Sequence, residues 1–118
     1  MPLLGTGSAM GDYRRGMDDP RIEELRKSID AINRRLLGLI AERQDVSVAI
    51  AAIKAEQGLP LYSHEREAQL LSQFREDAIA SDLDPDYVEE LMNVVLRHSR
   101  AAQRKSVGER AVDGPFEV

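Results

Sequence analysis

From Ile22 to Ile53 the apolar residues of this chain recur in steps of three and four: Ile22, Leu25, Ile29, Ile32, Leu36, Leu39, then Val46, Ile50 and Ile53. That period is the seam of one long helix that packs along its length. Asp19-Pro20 opens the helix as a cap followed by a proline at the first helical position. Gly58 and Pro60 close it, so the spacing predicts a helix from about 19 to 57. Nearly forty residues at about 1.5 Å each exceed roughly 50 Å, longer than a domain of this size is wide. Two shorter helices of the same chain cannot cover such a rod. The uncovered seam predicts a second copy, as an intertwined homodimer.

One seam position breaks the pattern. Arg43 stands where the register requires an apolar side chain. A guanidinium there is costly unless an anion meets it, and that anion comes either from the protein or from a ligand. Lys54 lies eleven residues on, almost three whole turns, so it faces the same way about 16 Å along the axis. Two long cationic side chains leaning together can hold a small dianion. Arg26 is different: seventeen residues from Arg43, it lies about 25 Å away on another face. It cannot join the same small pocket from its own helix, but in an antiparallel dimer it can reach the pocket of the other subunit.

Two further helices follow. Ser63 caps one that carries Ala68, Leu70 and Leu71 toward about Ala80. Asp84-Pro85 opens the other, whose stripe Val88, Leu91, Val94, Val95 and Ala102 ends near Arg104. Strand signals are absent, so the fold class is all-α, a three-helix protomer with a very long first helix. Residues 1–18, with four scattered glycines, read as a disordered segment or a cloning remnant, with Met17 as a natural start. The folded domain is placed at 19–106 and a flexible tail at 107–118, where Gly108, Gly114 and Pro115 break any pattern.

Composition narrows the chemistry. The net charge of −5 argues against a general nucleic-acid binder. Without cysteine there are no disulfides or thiolate metal sites, and His64 and His98 are too few and too isolated for a zinc site. No metal or cofactor is expected. No apolar run reaches the length of a membrane span and no signal-peptide pattern opens the chain, so a cytoplasmic protein is the expectation.

The remaining candidates are polar residues beside the apolar stripes. Arg66 and Glu67 fall in the first turn of the second helix; Ser99 and Gln103, four apart, stack on one face of the third. Taken singly, each has an ordinary explanation: an ion pair for Arg43, a solvated surface for Lys54, Arg26, Arg66, Glu67, Ser99 and Gln103, and a cap for Ser63. The two histidines read as structural or exposed. The joint arrangement carries the weight.

Taken together, these residues resemble the AroQ-class, all-helical chorismate mutases over about residues 19–105. The motifs are L-R-x-x-I-D-x-I-N at Leu25–Asn33, I-A-E-R at Ile40–Arg43 and I-A-x-I-K at Ile50–Lys54, then P-L-Y-S-H-E-R-E at Pro60–Glu67 and S-R-x-x-Q at Ser99–Gln103. Each motif is weak alone; in order and in register they are specific. The resemblance implies a domain-swapped dimer with two shared active sites, and the Claisen rearrangement of chorismate to prephenate on the way to phenylalanine and tyrosine. It implies that Arg43 and the other subunit's Arg26 bind the substrate carboxylates, with Ser99 and Arg66 assisting. Lys54 and Gln103 would flank the ether oxygen, and Glu67 would accept from the C4 hydroxyl. Lys54, Gln103 and Arg43 are thus the expected catalytic groups.

One position departs from the family pattern. Many members carry aspartate where this chain has Ser63, near the C4 hydroxyl. Both residues cap helices well, so the helix start should survive, and a contact made by the backbone N–H would not change. Related readings are an aminodeoxychorismate mutase, an isochorismate pyruvate lyase, a non-catalytic regulatory helical dimer and a plain helical scaffold. Docking onto another shikimate-pathway enzyme, through the tail, is a further expectation about partners.

Overall fold

The computed structural model describes residues 19–108. They form three helices, α1 Pro20–Glu56, α2 His64–Ala80 and α3 Pro85–Val107. No strand occurs among the described residues, as the all-α reading requires. The segment 1–18 and residues 109–118 of the expected tail lie outside the described residues.

Each helix end follows from local chemistry. At the start of α1 the Asp19 carboxylate accepts the backbone N–H of Arg21 at 2.9 Å, and the Asp19 carbonyl accepts those of Ile22 and Glu23. Pro20 at the first position gives up an N–H that had no partner anyway. After 37 residues α1 closes in a Schellman turn. Gly58 takes the left-handed conformation at φ 71°, its N–H bonds Ala55 O at 3.2 Å, and Leu59 N–H bonds Lys54 O at 2.8 Å. Ser63 caps α2 by accepting the Arg66 N–H at 3.1 Å. The C-terminal end of α2 repeats the Schellman pattern with Asp82 at φ 64°, Asp82 N–H on Ile79 O and Leu83 N–H on Ala78 O. An aspartate replaces the usual glycine there, so the sequence carried no glycine signal for this turn. Asp84 caps α3 on the N–H of Asp86 at 2.9 Å, with Pro85 behind it.

The end of α3 corrects the sequence reading. The helix runs to Val107, past Arg104, and the residue assigned to the start of the tail is 9% exposed. Val107 lies eleven residues beyond the buried Leu96, so it returns to nearly the same face three turns later. There it packs with Ala51 and Leu61, with Ala55 beside them. Gly108, at φ 66°, ends the helix and donates its N–H to Arg104 O.

The chain divides into two units, Met1–Ala41 and Glu42–Val118. In the first, the described residues are the N-terminal part of α1, and none of them is buried. Leu25 is 66% exposed and Leu39 62%, with Ile29, Ile32 and Leu36 also open along the seam. Within the second unit the C-terminal part of α1 packs with the loop before α2 and with the end of α3 around Ala51, Leu61 and Val107, and Leu96 and Ala78 are buried as well. On the surface of this unit Arg75 of α2 bridges Asp86 and Glu89 of α3, at 2.9 and 2.6 Å. No helix among the described residues is long and apolar enough to cross a membrane.

Candidate active site

The second unit holds a cavity of about 320 Å³, the size of a small-molecule site. Its wall is drawn from all three helices and from the turn before α2. Val46, Ile50, Leu61, Leu70 and Leu96 give it an apolar lining. Arg43, Lys54, Ser63, Arg66, Glu67, Ser99 and Gln103 also line it, so seven of the residues singled out in the sequence meet at one place. Arg26 belongs to the first unit and is not among the lining residues.

Arg43, Lys54, Gln103 and Glu67 are each held by a hydrogen-bond partner. Arg43 Nη1 donates to Ser99 Oγ at 2.8 Å, which ties α1 to α3. The neutral hydroxyl leaves the guanidinium's charge uncompensated, and Arg43 forms no ion pair among the described residues. The seam arginine therefore has no internal counter-ion here. Lys54, in the last turn of α1, donates one N–H to Leu61 O at 3.3 Å. An ammonium has three N–H groups, so two remain for the cavity it lines. The α1 Schellman turn places Leu61 under that lysine.

Gln103 Nε2 donates to the Ser47 carbonyl of α1 at 2.9 Å. A carbonyl can only accept, so it fixes which end of the amide faces α1. The same nitrogen carries a second N–H. Ser47, a lining residue the sequence reading missed, thus acts through its backbone, which no side-chain pattern could reveal.

Glu67 and Arg100 form the charged pair of the site. Arg100 Nη1 lies 2.6 Å from both carboxylate oxygens, and the two side chains are 18% and 19% exposed. The Arg100 guanidinium also sits 5.3 Å from the centre of the Tyr62 ring. Tyr62 and Arg100 both line the cavity, and both were overlooked. The signal for Arg100 was present in S-R-x-x-Q, where it stood as an unremarked residue between two candidates.

Four cations and one carboxylate therefore face this space. Arg100 neutralises Glu67, while Arg43, Lys54 and Arg66 make no ion pair among the described residues. Three uncompensated cations over apolar walls form a receptor for an anion carrying more than one negative charge. None of the lining side chains forms a nucleophile–base pair in this structure.

The sequence profile of the family described as chorismate mutase type II matches residues 25–104, which spans every motif of the site. The chain belongs to that family. Among similar curated proteins, the chorismate mutase of Methanocaldococcus jannaschii is 29% identical over 89 residues, covering 75% of this chain and 90% of its own. A T-protein of Enterobacter agglomerans is 35% identical over 79 residues, 67% of this chain. A bifunctional chorismate mutase/prephenate dehydratase of the same organism is 33% identical over 87 residues, 74% of this chain. This type II chorismate mutase family member spans 21% of the T-protein and 22% of the bifunctional protein.

Proposed function

We propose that this chain catalyses the Claisen rearrangement of chorismate to prephenate. The observation that carries the reading is the cluster of Arg43, Lys54 and Arg66, without internal counter-ions, around an apolar cavity beside Gln103. Chorismate is a dianion and must fold into a reactive conformer before its bonds exchange. Guanidinium forks on its carboxylates hold that conformer geometrically, which removes rotational freedom before the barrier. Arg43, steadied by Ser99, takes one carboxylate, with Arg66 assisting. The rearrangement transfers no proton and needs no nucleophile, so the enzyme's task is charge and shape.

As the C–O bond breaks, negative charge grows on the ether oxygen. Lys54 and Gln103 supply the donors that meet it, and each is already oriented by a backbone carbonyl. Donors fixed in advance stabilise that charge without reorganising. Glu67 accepts from the C4 hydroxyl. Ser63 keeps its role as the α2 cap, so its hydroxyl is engaged with the Arg66 N–H and the neighbouring contact falls to backbone.

The active protein in this reading is an intertwined homodimer. Its support is the open apolar seam of Leu25, Ile29, Ile32, Leu36 and Leu39, a contiguous stripe that a single soluble protein rarely leaves bare. Pairing of two α1 helices covers it, and Arg26 of the partner subunit then takes the second substrate carboxylate. Each dimer so built has two sites. Incubating the purified protein with chorismate, with identification of the product, tests the reading. Prephenate formation supports it; no turnover at micromolar enzyme overturns it.

A further inference from the structure

We propose that Arg100 is the positioning residue of this cavity, setting the Glu67 carboxylate to receive the C4 hydroxyl of chorismate. The inference rests on the mutase reading above and adds a residue to it. Nη1 of Arg100 is 2.6 Å from each carboxylate oxygen, so one donor group is centred between both acceptors. A carboxylate offers about four lone-pair sites, and this arrangement occupies one on each oxygen. One on each oxygen remains for a substrate hydroxyl.

Without Arg100 the carboxylate would share the cavity with Arg43, Lys54 and Arg66 alone. Free to turn toward any of these, it would no longer be aimed at the C4 hydroxyl. Arg100 prevents that by satisfying Glu67 from the opposite helix, because Glu67 sits on α2 and Arg100 on α3. The guanidinium is in turn held against the Tyr62 ring at 5.3 Å, and the Tyr62 hydroxyl lies 3.3 Å from His64 Nδ1. Orientation thus passes from the turn before α2, through Tyr62 and Arg100, to the carboxylate.

A merely structural staple is a poor explanation for this pair. Both side chains are less than one-fifth exposed, and Arg100 Nε is buried without a hydrogen bond among the described residues. Partly buried ion pairs with an unsatisfied donor stabilise a fold little compared with apolar side chains of similar volume. What the pair supplies is a fixed carboxylate in a cationic cavity.

The test compares chorismate with its analogue lacking the C4 hydroxyl, in wild type and Arg100→Leu, reading kcat and KM for each. A positioning role predicts a loss of about 10- to 100-fold in kcat/KM on chorismate, the worth of one hydrogen bond to a charged group, and no further loss on the analogue. Equal losses on both substrates, or none on either, overturn the assignment. Should the leucine variant fail to fold, Arg100→Gln decides by the same comparison, since it retains a polar donor without the charge. A wild-type protein that converts neither compound overturns the mutase reading and this assignment with it. Normal wild-type turnover with an unselective variant overturns Arg100 alone.

Discussion

Replacing Lys54 by alanine separates the chemistry of the site from its folding. In the folded protein the ammonium makes one hydrogen bond, to Leu61 O, and at 3.3 Å it is long. Its loss should cost no more than about 1 kcal/mol of stability, because a net intramolecular hydrogen bond contributes about that much or less when stretched. For a domain near one hundred residues this corresponds to a Tm lower by no more than about 4–8 °C. The effect on rate should be far larger. Removing one fixed donor to a developing oxyanion typically costs about 10²- to 10³-fold in kcat, roughly 3–4 kcal/mol of barrier. Because the charge on the ether oxygen grows only as the bond breaks, the loss should fall mainly on kcat, with KM changing less. Initial rates of chorismate disappearance, measured beside a thermal melt, give both quantities. A folded Lys54→Ala protein with wild-type kcat would refute the placement of this lysine at the ether oxygen.

Three other outcomes follow from the same geometry. Val107→Ala should destabilise the protein by about 1–2 kcal/mol, since it empties part of the cluster with Ala51 and Leu61; an unchanged Tm would contradict the extension of α3 into the core. Ser63→Asp should keep the α2 cap and leave kcat/KM within a few-fold, whereas Ser63→Ala should cost about 1 kcal/mol of stability; a large gain or loss of activity in the aspartate variant would show that its side chain touches the substrate. Mixing inactive Arg26→Ala and Lys54→Ala proteins should restore partial activity after subunit exchange, because one of the two sites in a heterodimer regains both residues. Proven exchange without rescue would exclude a cross-subunit arginine.

The helices were readable because their signals are local. Asp19-Pro20, Ser63 and Asp84-Pro85 are caps whose side-chain bonds are all present in the structure, and Gly58 marks a Schellman turn. Boundaries failed where tertiary contact extends a helix. Val107 sits beside a glycine and a run of polar residues, and only its burial against α1 and the loop shows that it belongs to α3. The turn at Asp82 was equally silent, because an aspartate at positive φ looks like any other polar loop residue.

The same division holds at the site. Charged residues at odd positions of a helical stripe, Arg43 above all, stand out in one dimension. Their convergence with Glu67, Ser99 and Gln103 became specific only through family resemblance, since those residues lie on different helices. Ser47 and Leu61 contribute carbonyls that any residue would carry. Arg100 and Tyr62 escaped notice because an arginine and an aromatic in helical or turn sequence have many ordinary uses. Only the contact of Arg100 with Glu67 and that of Tyr62 with Arg100 single them out.

The most direct measurement is the reaction of the purified protein with chorismate, followed by loss of substrate absorbance and by chemical identification of what forms. Steady conversion to prephenate, without release of pyruvate, is the expected result. An inert protein at micromolar concentration, or a product other than prephenate, would contradict the assignment of a chorismate carboxylate to the cation at Arg43.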